Sequence, residues 1–134
     1  MIFGSALILL SNVTVIVVED HDDTRTFMGL FLVRLGANVI LAKDAVEGLE
    51  AVKNHGPDLV LSDIQMPGMD GFELLRRIRA LGPDAGGNVP VVALTALETR
   101  IERTRMLNIG FQACLQKPFI PEKLLETMLS LLHN

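Results

Sequence analysis

From Val13 onward, short apolar runs alternate with longer stretches in which apolar side chains recur every three or four residues. Val13 to Val18 is mostly β-branched, the pattern of a strand buried on both faces, and it runs into the acidic cluster Glu19-Asp20-His21-Asp22-Asp23. Residues 24 to 35 place Phe27, Met28, Phe31, Leu32 and Leu35 at helical spacing, with an Asp as the N-cap and Gly36 as the stop. Asn38 to Ala42 reads as a second strand, and Asp44 with Glu47 forms a capping box opening a helix to about Lys53, with Leu49 and Val52 inward. Leu59, Val60 and Leu61 are the core of a third strand over 58 to 63, bounded by Pro57 and by the Pro67-Gly68 turn signal. Asp70 with Glu73 repeats the capping box, and Leu74, Leu75, Ile78 and Leu81 define the next helix face up to Gly82-Pro83. After a loop at 84 to 88, Val89 to Leu94 predicts a fourth strand closed by Thr95. A helix with a thin apolar face follows over 98 to 109, then a fifth strand over Gln112 to Leu115. Pro121 opens a last helix with Leu124, Leu125, Met128, Leu129 and Leu132 inward.

Five strands alternating with five helices predict an α/β fold: a doubly wound parallel sheet with right-handed crossovers and helices on both faces. Ligands of such sheets bind beyond the carboxyl ends of the strands. The residues at those ends are Glu19 and Asp20, then Asp63, then Thr95, then Gln116 and Lys117. A carboxylate at the end of a buried strand is a poor choice for packing and a good one for chemistry. Three carboxylates from two strands suit a hard cation such as Mg²⁺, while a hydroxyl and an ammonium suit an anion beside it, most simply a phosphoryl group. Asp63 is then a candidate nucleophile forming an acyl phosphate, with Lys117 neutralising charge on the transferring oxygens.

Composition narrows this further. The length of 134 residues suits one domain, and an apolar content of 49% excludes disorder. Sixteen acids against twelve bases give a net charge of -4, which argues against nonspecific nucleic-acid binding. The single cysteine, Cys114, permits no internal disulfide and suits a reducing, cytoplasmic setting. Met1 to Leu10 is almost wholly apolar, yet no Lys or Arg precedes Arg25 and the run is too short to span a bilayer, so neither a secretory signal nor membrane insertion is expected. Residues 1–12 are read as an apolar extension, vector-derived or continuous with an upstream region, that packs on its own domain or on another copy. Residues 13–134 form the domain proper.

Four motifs in this order carry a resemblance: the acidic pair Glu19-Asp20, the Asp63 segment with Met66-Pro67-Gly68-Met69-Asp70-Gly71, Ala93-Leu94-Thr95-Ala96, and Lys117-Pro118-Phe119. The chain resembles a response-regulator receiver domain of two-component signalling, of the chemotaxis-receiver type, over about residues 13 to 132. The resemblance implies the flavodoxin-like strand order 2-1-3-4-5. It also implies that Asp63 accepts phosphate from a histidine kinase or phosphotransfer domain, and that Glu19, Asp20, Asp63 and the backbone carbonyl of Gln65 hold Mg²⁺. Thr95 and Lys117 would contact the phosphate. The family's switching scheme then moves an aromatic side chain on the fifth strand, and here the matching position is Cys114, in a chain without Tyr or Trp.

The remaining polar residues have simpler readings. Asp22 and Asp23 read as capping residues, His21 as an exposed loop histidine, Asp58 and Asp70 as turn and cap residues, and Arg76, Arg77 and Arg79 as a solvated helix face. Arg100, Arg103 and Arg105 lie on the face of residues 98–132, where a downstream protein could dock or a homodimer form. The chain ends at Asn134, just after the last helix, so no nucleic-acid-binding module is expected after it. Two alternatives stand beside the switch: a receiver-like interaction module that is never phosphorylated, and an aspartyl-phosphate hydrolase. The hydrolase needs a second acid near the nucleophile, and two residues after Asp63 stands Gln65.

Overall fold

The computed structural model describes residues 9–96 and 100–133. The strands are β1 (Thr14–Val18), β2 (Asn38–Ala42), β3 (Leu59–Asp63), β4 (Val91–Thr95) and β5 (Ala113–Gln116). The helices are α1 (Asp22–Arg34), α2 (Ala45–His55), α3 (Gly71–Arg79), α4 (Arg100–Ile109) and α5 (Pro121–Leu132), with a short 3-10 turn at Pro83–Ala85. All strand pairs are parallel, in the order β2-β1-β3-β4-β5.

Alternation along the strands divides the core into two layers. Ile16, Val18, Val60, Val91, Ala93 and Cys114 pack with Val52, Leu74, Leu75, Ile78 and Met106 beneath α2, α3 and α4. Val15, Val17, Leu59, Leu61, Val92, Leu94 and Leu115 face the other way, onto Met28, Leu32, Leu124 and Met128 of α1 and α5. Consecutive strand residues point to opposite faces, so strands apolar at every position are what a sheet covered on both sides requires. Leu10 is fully buried in the second layer, and its N–H donates to the Leu35 carbonyl at 2.9 Å. Leu9 is 43% exposed, and residues 1–8 of the predicted apolar extension lie outside the described residues.

Several local expectations are corrected. The N-cap of α1 is His21, without a side-chain cap bond, and both Asp22 and Asp23 fall in the first turn, where their charge favours the helix dipole. Phe27 is not an inward position: it is 59% exposed, and the buried stripe of α1 runs through Met28, Gly29 and Leu32. Strand β4 begins at Val91 and not at Val89, because Pro90 has no N–H to donate and the Val89 N–H instead turns back to the Gly86 carbonyl at 3.2 Å. Strand β5 starts one residue late, since Gln112 spends its side chain on the Val91 N–H at 2.7 Å. The caps at Asp44 and Asp70 are as expected, each carboxylate accepting from the N–H three residues on at 2.9 Å, but the reciprocal half of each capping box is not made: Glu47 accepts from the Lys43 N–H and Glu73 turns to Arg76 and Arg77.

Arg79 departs most from the solvated reading. Its guanidinium turns inward to the carbonyls of Gly87, Val89 and Gly110 and to the Gln112 amide oxygen, at 2.9, 2.7, 3.2 and 2.9 Å. It thereby ties the end of α3 to the strand entrances of β4 and β5. Burial without a carboxylate partner pushes its pKa down from the usual arginine value. Arg76 and Arg77 do face solvent, where both pair with Glu73.

Candidate functional site

The sheet itself assembles the candidate residues. Strands β1 and β3 run in register from Val15 opposite Leu59 to Val18 opposite Ser62. One step further, Glu19 comes level with Asp63, and the Glu19 N–H still bonds across to Ala42 at 3.0 Å. Asp63 ends β3 and is only 7% exposed. On its other side Thr95 ends β4, 2% exposed, and its carbonyl accepts from the Lys117 N–H at 2.7 Å, which fixes the start of the chain beyond β5. The turn after Asp63 folds back tightly. The Gly71 N–H donates to the Ile64 carbonyl at 2.9 Å, and a Cβ on Gly71 would meet the Asp63 carbonyl at 2.6 Å. Only glycine fits there, so the start of α3 sits directly against the site.

Carboxylate oxygens of Glu19, Asp20 and Asp63 lie within 4.8 Å of one another. Glu19 is fully buried: its Oε1 accepts from Lys117 Nζ at 2.7 Å and its Oε2 from the His21 N–H at 3.1 Å. Lys117 Nζ is also 3.3 Å from Asp63 Oδ2, so one ammonium bridges two acids. Burial, followed by the negative charge of Glu19, pushes the Asp63 carboxyl up to about 6, against the opposing pull of Lys117. Burial pulls the Lys117 ammonium down, but its hydrogen bond to Glu19 and the charges of Glu19 and Asp63 outweigh this, and its pKa is raised. The donor set is all oxygen, with no histidine or thiolate among it, which fits a hard divalent cation such as Mg²⁺ and not a soft one.

Of the residues predicted from the sequence, Glu19, Asp20, Asp63 and Lys117 are brought together directly. Thr95 and Gln65 meet on the adjoining side, where they line a groove of about 580 Å³ with Met66, Phe72, Arg105 and Met106. Sequence reasoning missed Arg25 and the His21 N–H, and quoted Gly71 in the Asp63 motif without a role. The only available signal for them was position, one helical turn or one loop away from an acid already singled out.

Comparison with known proteins now decides the family. The response regulator receiver domain model matches residues 15–129. The chain belongs to the response regulator receiver family. Among related proteins, an uncharacterized 14.6 kDa protein of Leptolyngbya boryana is 39% identical over 116 residues, covering 87% of each chain. Response regulator MprA of Mycobacterium sp. (strain KMS) is 38% identical over 122 residues, which are 91% of this chain but 51% of that protein. The receiver therefore spans about half the length of the mycobacterial regulator. Among solved structures, the receiver domain of sensor histidine kinase PA1611 from Pseudomonas aeruginosa superposes with a TM-score of 0.82 at 28% identity, covering 92% of this chain and all of that one. That structure holds a magnesium ion coordinated in its active-site cleft. Among the described residues, no helix is long and apolar enough to cross a membrane.

Proposed function

We propose that this receiver is a phosphorylation-dependent switch in which Asp63 takes a phosphoryl group from a phosphohistidine on a histidine kinase or a phosphotransfer domain. The observation that carries the reading is the setting of Asp63: a strand-end carboxylate, nearly buried, 3.3 Å from an ammonium and grouped with two further acids. No packing role calls for that arrangement. In the transfer, an Asp63 carboxylate oxygen bonds to phosphorus while the bond from phosphorus to the donor imidazole nitrogen breaks, the nitrogen keeping the electron pair. Lys117 stands where it neutralises charge on the phosphoryl oxygens, and the Thr95 hydroxyl is the donor assigned to one of them. Glu19, Asp20, Asp63 and the Gln65 carbonyl would hold Mg²⁺, which when bound supplies positive charge at the transferring oxygens. The magnesium in the Pseudomonas receiver supports this assignment.

On this reading the chain is a phosphoacceptor and not an enzyme on other substrates; at most it catalyses its own phosphorylation and dephosphorylation, in the cytoplasm where kinase and ATP meet. Residues 13–134 form the functional unit. A downstream protein, or a second copy, would bind the face of α4, β5 and α5, where Ile101, Leu107 and Ile109 stand 77%, 44% and 45% exposed. A second reading, an interaction module that is never phosphorylated, is favoured by one observation, Cys114 on β5. Incubation with acetyl phosphate and Mg²⁺ separates the two. The switch gains one phosphoryl group by intact mass and Asp63→Asn gains none. A persistent adduct on the variant would falsify the nucleophile assignment, and no adduct on the wild type favours the interaction module.

A further inference from the structure

Arg25 sits one turn into α1, beside the acidic group, and nothing in the transfer chemistry uses it. Its side chain is 17% exposed. Nη1 donates to the main-chain carbonyl of Glu19 at 2.9 Å and, more weakly, to that of Asp20 at 3.5 Å, while Nη2 pairs with Asp22 Oδ1 at 2.5 Å. Both carbonyls lie in the gap between elements: β1 ends at Val18 and α1 starts at Asp22. Among the described residues neither a strand ladder nor a helix supplies a donor there; Glu19 is buried, so its carbonyl needs one, whereas Asp20 is exposed.

We propose that Arg25 is a positioning residue for the divalent-cation site. By holding the carbonyls of Glu19 and Asp20 it fixes the direction in which the two carboxylates leave the chain, and so raises Mg²⁺ affinity without touching the ion. The proposal rests on the reading of Glu19, Asp20 and Asp63 as a Mg²⁺ site. Mg²⁺ demands near-octahedral geometry and penalises ligands that wander. Groups behind a metal's ligands typically change affinity by about 10- to 100-fold when lost.

Charge alone predicts the opposite sign. Arg25 is a cation close to a cation site, so its removal should tighten Mg²⁺ binding if only Coulomb repulsion operates. A lysine in its place keeps the charge but loses the planar fork that holds the carbonyls through Nη1 and the Asp22 carboxylate through Nη2. The experiment is calorimetric titration of the intact, metal-free protein with Mg²⁺, alongside thermal unfolding in EDTA, for the wild type, Arg25→Ala, Arg25→Lys, Asp20→Asn and Asp63→Asn. The expected result is that Arg25→Ala and Arg25→Lys each weaken Mg²⁺ binding roughly 10-fold. Arg25→Ala binding Mg²⁺ as tightly as the wild type or more tightly, with or without a lower melting temperature, overturns the proposal. So does full rescue by lysine, which would show that the guanidinium's hold on the carbonyls is not what the site needs. If Asp20→Asn and Asp63→Asn leave the titration unchanged, the site reading itself fails and takes the role of Arg25 with it; loss in both with no loss at Arg25 overturns the positioning role alone.

Discussion

Asp63→Asn should make the metal-free protein more stable near neutral pH. The Asp63 carboxyl is held at about 6 instead of its ordinary 3.8, mainly by burial and then by the charge of Glu19. A folded-state pKa raised above the unfolded value contributes stability that is fully present below 3.8 and is lost as pH rises through about 6. A shift of about two units corresponds to roughly 3 kcal/mol once both states are ionised. Asparagine keeps the shape of the side chain and removes the charge, and Lys117 keeps Glu19 at 2.7 Å when its contact with residue 63 weakens. The opposing pull of Lys117 is already contained in the value of about 6, so the expected stabilisation is up to about 3 kcal/mol, or roughly 3–10 °C in melting temperature for a chain of this size. Thermal unfolding followed by circular dichroism in EDTA, at about pH 7.5 and about pH 5, measures it. The advantage of the variant should shrink by roughly 1–2 kcal/mol at the lower pH, where the wild-type carboxyl is largely protonated in the fold. Mg²⁺ should raise the wild-type melting temperature and close the gap while leaving the variant nearly unmoved. A variant less stable than the wild type at about pH 7.5 in EDTA, or a gap equal at both pH values, would show that Asp63 is not under electrostatic strain.

Three further outcomes follow from the same geometry. Gly71→Ala puts a Cβ 2.6 Å from the Asp63 carbonyl and 2.9 Å from the Ile64 Cα, both backbone, so a loss of about 1–3 kcal/mol is expected in urea unfolding; an unchanged midpoint would mean that the 63–71 turn gives way freely. Arg79→Ala leaves three covered carbonyls and the Gln112 amide without their shared donor, so we expect a loss on the order of 2–4 kcal/mol and faster amide exchange around residues 87–91 and 110–112, neither of which a solvated arginine would produce. Glu73, hydrogen-bonded first by Arg76 and then by Arg77, is held down at about 2, so its stabilising effect is present above the ordinary glutamate range and is lost as pH falls through about 2. A carboxyl titration by NMR checks this, with Arg76→Ala and Arg77→Ala together expected to return Glu73 toward its ordinary value.

Much of this was legible in the sequence, for a physical reason. A parallel sheet covered on both faces needs unbroken apolar strands, which stand out at Val13–Val18, Leu59–Leu61 and Val89–Leu94, and α2 and α3 announce themselves by the caps Asp44 and Asp70. Once the strand order is known, Glu19, Asp63, Thr95 and Lys117 have no other place to go than one end of the sheet. What stayed hidden depends on side-chain direction. Nothing local distinguishes Arg79, which turns inward to four acceptors, from Arg76 and Arg77 beside it, because its partners lie 8 to 33 residues away. Gly71 stood in the Asp63 motif without a role, since what it must clear, the Asp63 carbonyl and Ile64, comes close only once the turn has folded back. Spacing alone puts Phe27 inward, but helix α1 buries only a narrow stripe, and Phe27 falls beside it.

Transmission away from Asp63 is the point where this receiver's own residues bear hardest on its function. Thr95 follows Val91 and Ala93 on the sheet face that packs against α4, and Ala93 is level with Cys114 on β5. Two small side chains adjoin there, so a rotation of Cys114 moves a single sulfur and carries little displacement to the surface. The bulk near Thr95 comes from the helices instead. Phe72 and Met106 line its groove, the Phe72 ring stands edge-on to Phe111 at 6.0 Å, and the Arg105 guanidinium lies 5.9 Å from the Phe72 centroid. Helix α4, meanwhile, has one buried side chain among its described residues, Met106. Burying one methionine is worth about 2–3 kcal/mol, and shifting a two-state equilibrium between extremes takes about 5.5 kcal/mol of differential binding. With so little of its apolar surface buried, α4 is the element that the proposed phosphoryl contacts with Thr95 and Lys117 would move most readily. Under the proposed switch the moving part would be α4, carrying Met106 past Phe72, with β5 as a passive floor.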